Sequence, residues 1–243
     1  MSRLPPIPQP LECVLFDAGD TLLAPAPSFQ GRFVAVAAAH GLPLEEAAVD
    51  AAVAAAVRQA AWPSDWTDPA TQREFWTGFY REVLAGLGHE GGPADGELAE
   101  ALFQAFSDPA GYRLFDDVRP ALDELAGRGI KLGVVSNFEP WLADVLALQG
   151  IADRFVAVAI SGTLGVAKPD PEIFKAALAE AGADPAATVH VGDQPVNDVA
   201  AARAVGITPV LIDRFARHPD AGGAHRVESL RGFVELVAGD GPG

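Results

Sequence analysis

The chain has 243 residues, with 17 Lys and Arg against 33 Asp and Glu, a formal net charge of −16 and 49% hydrophobic residues. This composition excludes a disordered or fibrous chain, and the length suits one large domain or a core that carries a smaller insertion. Because such a charge repels phosphate backbones and anionic lipid headgroups, the sequence predicts neither a nucleic-acid partner nor a membrane partner. The single cysteine, Cys13, excludes an internal disulfide framework.

The N-terminal segment predicts no targeting function. Residues 1–13 contain several prolines and no continuous apolar run, unlike a secretory signal sequence. The longest run of small apolar residues, 51–57, ends at Arg58 and falls far short of the roughly 20 residues that span a bilayer. We therefore expect a cytoplasmic protein.

Five short apolar runs predict the strands of a parallel sheet. They occupy residues 13–16, 130–135, 155–160, 188–191 and 208–212. The first run is apolar throughout, which indicates a strand buried on both faces. Helix-like amphipathic segments lie among the later runs, at residues 118–126, 140–148, 171–181, 196–205 and 227–237. This alternation predicts an α/β core with a doubly wound, Rossmann-like parallel sheet.

A different kind of sequence separates the first strand from the second. About 90 residues between Pro25 and Gly111 contain no strand-like run, which is too long for a simple crossover connection. The stretches 45–61 and 75–84 have the i, i+3, i+4 spacing of helices that pack on one another. Turn-forming residues at 63, 68–69, 91–93 and 108–109 divide the segment. We predict an inserted all-helical cap domain at residues 25–111 and a core formed by residues 1–24 and 112–243.

Polar residues follow the predicted strands, where ligands bind in sheets of this kind. They are Asp17, Gly19, Asp20 and Thr21 after the first strand, Ser136 and Asn137 after the second, Lys168 in a later loop, and Asp193 and Asp198 after the fourth. Acids at the ends of buried strands need a cation, since unpaired charge is costly in a low dielectric. Mg²⁺ prefers oxygen ligands, and Asp17, the Gly19 carbonyl and Asp193 suit it.

The order of these motifs resembles the haloacid dehalogenase-like (HAD) hydrolase superfamily. The matching residues are Asp17 with Thr21, Ser136-Asn137, Lys168-Pro169, and Gly192-Asp193 with Asp198. The resemblance covers most of the chain outside the predicted cap. Among the branches of the superfamily, the chain is similar to the subfamily with a helical cap after the first motif and to its HDHD-like members.

The resemblance implies a role for each matching residue. Asp17 is then the nucleophile that takes up the phosphoryl group, and Ser136 and Lys168 hold the oxygens of that group. Asp193 is the third metal ligand, and Asp198 orients Lys168 or the waters on the metal. A Mg²⁺ cofactor and a small phosphorylated substrate are implied as well.

Elementary chemistry agrees with these roles. A carboxylate can form an aspartyl-phosphate, which splits hydrolysis into two easier displacements, provided that the charges of both groups are neutralised. Lys168 and Mg²⁺ provide that neutralisation. The hydroxyls of Thr21 and Ser136 can donate to the phosphate oxygens, and we assign Asn137 to phosphate binding with them.

The chain departs from the family pattern at one position. Phosphatases of the family usually carry an Asp two residues after the nucleophile, where it protonates the leaving group; here that residue is Gly19. General acid–base catalysis typically contributes about 10²–10⁴-fold. The neighbouring Asp20 is the candidate replacement, although a shift of one residue in a tight loop redirects the side chain.

Two other functions stay open at this point. A 2-haloacid dehalogenase, in which Asp17 displaces halide without a metal, agrees with Gly19 but not with Asp193 and Asp198. A weakly catalytic binding protein that keeps the pocket also agrees with Gly19. We assign His190, within the fourth strand, to packing rather than to catalysis. The oligomeric state is either a monomer or a homodimer.

Overall fold

The computed structural model describes residues 4–63, 66–89 and 93–239, with no side-chain detail for 93–95. The chain divides into two compact units, one formed by Ala24–Arg113 and the other by Met1–Leu23 together with Leu114–Gly243. None of the helices in the described ranges is both long and apolar enough to cross a membrane.

The elements of the first half are β1 (Cys13–Phe16), β2 (Leu23–Pro25), α1 (Phe29–Ala39), α2 (Glu46–Gln59), α3 (Pro69–Gly86), α4 (Pro93–Phe106), β3 (Tyr112–Leu114) and α5 (Val118–Gly127). Those of the second half are β4 (Lys131–Ser136), α6 (Leu142–Leu148), β5 (Ala157–Ile160), α7 (Ser161–Leu164), α8 (Pro171–Ala181), β6 (Thr188–Gly192), α9 (Ala201–Ala204), β7 (Thr208–Ile212), β8 (His225–Val227) and α10 (Leu230–Ala238).

The large sheet confirms the predicted α/β fold. Its six strands run parallel in the order β5-β4-β1-β6-β7-β8, so the first strand lies in the middle, between β4 and β6. The order reverses on either side of β1, as in doubly wound folds. The sixth strand, β8, was not predicted, because three residues of which two are His and Arg give no apolar run.

Strand β1 is buried on both faces, as its continuous apolar run predicts. Cys13 and Leu15 belong to one core cluster with Phe174 of α8. Phe16 points to the other face, because successive side chains alternate, and its ring meets Phe233 of α10 edge-on at 6.3 Å. Helices therefore cover both sides of the central strand.

Helix α8 has the same limits as predicted, because both of its ends carry clear signals. At its N-terminus the Asp170 side chain accepts a hydrogen bond from the Glu172 N–H, and Pro171 occupies the first turn. At its C-terminus Gly182 takes a left-handed φ of +55°. These caps fix the helix that directly follows the loop of Lys168.

Other elements differ from their predicted limits. The segment predicted as one helix at 196–205 is a π-helical stretch, Pro195–Ala200, followed by the short α9. Helix α10 begins at Leu230, because the Ser229 side chain caps it by accepting from the Gly232 N–H. The predicted strand at 155–160 begins only at Ala157, after a 3₁₀ turn.

The unit Ala24–Arg113 has its own core between the helices α1 to α4. That core includes Phe33, Val49, Tyr80, Val83 and Leu102. Two short strands, β2 and β3, pair with each other at the two ends of the segment. The division between helices predicted at residues 91–93 falls partly on residues 91–92, which lie outside the described residues.

Candidate active site

The polar residues at the strand ends meet at one edge of the sheet. Asp17 follows β1 directly, and its N–H donates to the Val191 carbonyl of β6 at 2.9 Å. Ser136 ends β4, and Asp193 follows β6. Because β1 runs parallel to both neighbours, the carboxyl ends of three adjacent strands place these side chains together.

A buried lysine joins two aspartates at this edge. Lys168 Nζ lies 2.7 Å from Asp17 Oδ1 and 2.6 Å from Asp198 Oδ1. The side chains of Lys168 and Asp198 are 2% and 1% exposed, and that of Asp17 is 10% exposed. Ser136 Oγ donates to the same Asp17 oxygen at 3.0 Å. Two donors therefore fix the predicted nucleophile.

Burial and ion pairing together set the charges of these groups. Burial by itself would lower the pKa of Lys168, but the Asp17 and Asp198 carboxylates outweigh burial and raise that pKa. Burial would raise the pKa of Asp198, but the Lys168 ammonium and the hydrogen bond from His190 hold it below its ordinary value. For Asp17, burial exceeds the stabilisation by Lys168, so its pKa is raised. Lys168 and Asp198 are therefore an ion pair at neutral pH.

Asn137 holds the main chain of Lys168. Its Nδ2 donates to the Lys168 carbonyl at 2.7 Å, and its Oδ1 accepts from the Lys168 N–H at 2.7 Å. Both polar atoms of the amide are thus engaged by the chain itself. Asn137 therefore supports the main chain of Lys168, and its assignment to phosphate binding stays a prediction.

The loop after β1 winds around a single carbonyl. Three successive N–H groups, of residues 21–23, donate to the Ala18 carbonyl at 2.8 to 3.3 Å. An isolated bridge between Gly19 and Leu23 uses that carbonyl and the Asp20 N–H. It uses neither the N–H nor the C=O of Gly19. The Gly19 carbonyl, a predicted metal ligand, therefore accepts no hydrogen bond within this bridge.

The Thr21 hydroxyl is an unsatisfied polar group. Thr21 is fully buried, and its Oγ1 has no hydrogen-bond partner among the described residues. An unpaired buried polar group costs about 1–3 kcal/mol. This hydroxyl is available to donate to a bound anion, which is the role that the sequence predicts for Thr21.

The Asp20 carboxylate is engaged by an arginine. Asp20 has a left-handed φ of +52°, which Asp tolerates better than most residues. Its Oδ2 lies 2.9 Å from Arg217 Nη1. By contrast, a Cβ added at Gly19 would meet no atom of the described residues within 4 Å. The candidate proton donor is thus held in an ion pair, while space is open at the position where the family usually has its acid.

A second arginine, missed by the sequence analysis, fixes the same loop. Arg214 binds Asp117 through Nη1 and Nη2 at 3.0 and 2.9 Å, and it donates through Nε and Nη2 to the Thr21 carbonyl at 3.2 and 2.9 Å. Its guanidinium lies 4.1 Å from the Phe115 ring centroid. Arg214 follows β7 by two residues, so the rule that selected Asp17 could also have found it.

Asp198 sits against a glycine of strand β6. A Cβ on Gly192 would lie 2.2 Å from Asp198 Cγ, so only glycine leaves room for this carboxyl group. Oδ2 of Asp198 accepts from the Gln194 N–H at 2.8 Å, and Oδ1 lies 2.9 Å from His190 Nε2. Asp198 is carried by the π-helical stretch, a type of turn that often marks functional sites.

Three carboxylates form a group that suits a divalent cation. One oxygen each from Asp17, Asp193 and Asp198 lies within 4.8 Å of the others. Burial raises the pKa of Asp193 well above its ordinary value, and the negative charges of Asp17 and Asp198 add to this effect. A cation would relieve that repulsion, and oxygen ligands of this type fit Mg²⁺. Because donors of the chain engage both oxygens of Asp198, Asp17 and Asp193 are the acids that fit as ligands.

These observations define a class of protein: a doubly wound α/β enzyme whose acidic, lysine-containing site follows the central strand. A family model described as haloacid dehalogenase-like hydrolase matches residues 11–206. The chain belongs to this family of hydrolases.

Relatives and solved structures agree with this assignment. The chain is 33% identical over 228 residues to haloacid dehalogenase-like hydrolase domain-containing protein 3 of Danio rerio, covering 91% of this chain and 94% of the relative. It is 37% identical over 170 residues to a phosphoserine phosphatase of Thermus thermophilus, covering 68% of this chain and 64% of the relative. The structure of the putative HAD-hydrolase YfnB from Bacillus subtilis superposes with a TM-score of 0.72 at 18% identity, covering 94% and 99% of the two chains. At that identity, the structural likeness concerns the fold alone.

Gly192→Ala tests the close packing of Asp198. Because the new Cβ would overlap the Asp198 carboxyl group, Asp198 must move, and we expect the free energy of unfolding to fall by about 1–3 kcal/mol. Gly127→Ala, in α5, would meet no described atom within 4 Å and serves as the control; we expect it to be neutral or stabilising by up to ~1 kcal/mol. Urea unfolding measures both, and equal stabilities of the two variants would contradict the packing.

Lys168→Met tests the charge balance of the site. The change leaves two buried carboxylates without their cation, and we expect a loss of about 3–5 kcal/mol in unfolding free energy near neutral pH. In the variant burial acts without Lys168, so the folded-state pKa values of Asp17 and Asp198 both lie above those of the unfolded chain, and stability falls as pH rises through them. In the wild type the Asp198 pKa is lowered, so its carboxylate stabilises the folded state at neutral pH. That stabilisation is lost only as pH falls below the ordinary pKa of an aspartate.

The difference between wild type and Lys168→Met should therefore be larger at about pH 8 than at about pH 5, as measured by urea unfolding in EDTA. Lys175→Met, which removes an exposed lysine paired with Glu172, is the control and should change stability little at either pH. A loss that is independent of pH would contradict the assignment of charges.

Proposed function

We propose that this chain is a Mg²⁺-dependent phosphatase that hydrolyses a small phosphate ester through an aspartyl-phosphate on Asp17. The observation that carries the proposal is the buried Lys168 in contact with Asp17 and Asp198, with Asp193 beside them. Relatives named phosphoserine phosphatase and, in Methanopyrus kandleri, glyceraldehyde 3-phosphate phosphatase support a phosphatase rather than another hydrolase.

The proposed reaction has two displacements at phosphorus. In the first, a carboxylate oxygen of Asp17 bonds to phosphorus while the bond to the ester oxygen breaks, and the leaving alkoxide takes a proton from water. In the second, water attacks the aspartyl-phosphate, releases inorganic phosphate and restores the Asp17 carboxylate. Each step is easier than direct hydrolysis when the charges are neutralised.

The chain supplies most of that neutralisation through fixed groups. Lys168 is a permanent cation next to the reacting carboxylate, so it can stabilise charge on the transferring group without reorganising. Ser136 and Thr21 supply hydroxyl donors, of which that of Thr21 is buried and unpaired within the described chain. Asp198 and Asn137 hold Lys168 by its ammonium and its main chain, respectively.

Mg²⁺ fits the same proposal through Asp17, Asp193 and the Gly19 carbonyl. When bound, it would offset the charge of the carboxylates and of the substrate phosphate. The raised pKa values of Asp17 and Asp193 support this assignment, because burial, with a smaller effect from neighbouring carboxylates, disfavours their charged forms, and a bound cation would favour those forms.

The unit Ala24–Arg113 is proposed as the cap that selects the substrate. Substrate choice in this proposal is a property of its helices, while the chemistry stays with the strand ends of the other unit. A small phosphorylated molecule is the proposed substrate. A cytoplasmic location and a monomeric or homodimeric state stay predictions.

Phosphate release with and without the nucleophile tests the proposal. With Mg²⁺ and a panel of phosphate esters that includes p-nitrophenyl phosphate, we expect release by the wild type and a fall of about 10³-fold or more in Asp17→Asn. Asp123→Asn, an isosteric change at an exposed ion pair with Arg154, is the matched control and should retain activity.

If the wild type releases no more phosphate than Asp17→Asn, the proposal is wrong. Halide release from 2-chloropropionate in EDTA, lost in Asp17→Asn, would instead establish the dehalogenase alternative. The dehalogenases among the similar structures share only the fold with this chain, at 20–25% identity, and do not favour that alternative.

Gly19→Asp tests whether a proton donor is missing. A side chain at this position meets no described atom within 4 Å of its Cβ, so the variant can place a carboxyl group without a clash. For esters with poor leaving groups we expect kcat to rise by up to about 10²–10⁴-fold, the usual contribution of a general acid.

Gly19→Asn, of the same size but unable to give up a proton, is the control and should show no such gain. A gain in Gly19→Asp alone would identify a catalyst that lacks only its acid. No gain, with substrate-specific activity in the wild type, would contradict the missing-donor interpretation and indicate that another group protonates the leaving alcohol.

A further inference from the structure

His190 reaches the catalytic edge from inside the sheet. It is the third residue of β6, is fully buried, and lies opposite Leu15 of β1 in the strand register. Its Nε2 is 2.9 Å from Asp198 Oδ1, the same oxygen that lies 2.6 Å from Lys168 Nζ. The imidazole, the carboxylate and the ammonium therefore form one continuous chain of contacts that ends at Asp17.

The backbone explains why the histidine reaches this carboxylate. His190 and Gly192 are two residues apart in a strand, so they face the same side of the sheet. Gly192 has no side chain, and the Asp198 carboxyl group fills the space that a Cβ would take. The His190 imidazole lies on the same face two residues before Gly192, and its ring packs edge-on against Phe174 with the ring centroids 4.9 Å apart.

Hydrogen-bond satisfaction selects one form of the ring. Among the described residues, Nδ1 of His190 is buried and has no partner. A proton on Nδ1 would be a buried donor without an acceptor, whereas the Asp198 carboxylate can only accept from Nε2. Of the two neutral tautomers, the one with its proton on Nε2 fits these contacts.

We propose that His190 is a positioning residue that, as a neutral Nε2–H donor, holds Asp198 in the orientation that places Lys168 on the nucleophile. The inference rests on the proposed function for its kinetic part. A second cation at this place would compete with Lys168 for the same oxygen of Asp198. A neutral N–H donor fixes the position of Asp198 Oδ1 without competing with the Lys168 ammonium for its negative charge.

Two variants of nearly equal shape separate hydrogen bonding from packing. His190→Gln keeps an amide N–H near the position of Nε2, while His190→Met fills similar space without a donor. We expect kcat of His190→Met to fall by roughly 10- to 100-fold, with a change in KM of less than about threefold. His190→Gln should recover kcat to within about threefold of the wild type.

Thr188→Val is the control within the same strand. Thr188 lies two residues before His190, and the change removes a partly buried hydrogen bond of 2.7 Å from Thr188 Oγ1 to the Asp184 carbonyl. We expect it to lower stability while leaving kcat unchanged. A loss of kcat that followed stability alone, equal in Thr188→Val and His190→Met, would show that His190 is only a packing residue.

The tautomer is measured independently in the free protein. Long-range ¹H–¹⁵N correlation spectra distinguish the two neutral forms and the imidazolium, and the loss of one of the five histidine signals in His190→Gln assigns His190. We expect the Nε2–H form at neutral pH. An imidazolium or an Nδ1–H form would overturn the proposal, as would equal kcat values for the Gln and Met variants.

If His190→Met does not fold, His190→Asn replaces it, because its shorter amide matches Nδ1 and does not reach Asp198. Recovery by Gln but not by Asn would support the proposal, and equal loss in both would overturn it. A wild type that releases no phosphate would instead overturn the proposed function, while the spectra would still decide the hydrogen bond of His190.

Discussion

One ammonium group shared by two buried carboxylates is the constraint on which the rest of this site depends. Removing such ions from water costs several kcal/mol each, and a buried pair often adds little to stability compared with apolar residues of similar volume. Lys168 therefore needs neighbours that satisfy every remaining polar atom. Asn137 binds its main chain, Asp17 and Asp198 bind its ammonium, and the Gln194 N–H and His190 take up the other contacts of Asp198. These contacts restrict the arrangement of Lys168 and Asp198, as a preorganised catalytic site requires, while the Thr21 hydroxyl and His190 Nδ1 have no partner among the described residues.

The order of the sheet makes this network possible. Lys168 and Asp17 are 151 positions apart in the chain, so their contact depends on the fold being complete. Placing β1 between β4 and β6 brings three loops to one edge, and the caps of α8 fix the helix that follows the loop of Lys168. The arginine after β7 adds a fourth loop by binding the Thr21 carbonyl. The contacts of the candidate site thus depend on the order of the strands.

Much of the fold could be predicted from the sequence, because its signals are local. A continuous apolar run identified β1, and a cap at each end defined α8 to the residue. The π-helical stretch could not be predicted, because its residues have the composition of an ordinary helix. The same limit applies to the site. Residue types and strand ends selected the acids and the lysine, but the part taken by Asn137 depends on the position of a main chain 31 residues away, which no local pattern contains.

The loop after β1 shows why moving an acid by one residue changes the chemistry. Gly19 and Asp20 together contain the same residue types that the family usually has in the opposite order, yet the backbone treats the two positions differently. The second is left-handed, and its carboxylate is paired with Arg217, so its charge is already balanced. Gly19 has no acidic side chain, and a Cβ at that position would meet no described atom within 4 Å. A site of the proposed kind then keeps its nucleophile and its cation but gives the leaving group no proton of its own. We expect such a site to act best on esters whose leaving group departs as a stable anion or brings its own proton donor, so the proposed function ties the substrate to leaving-group chemistry.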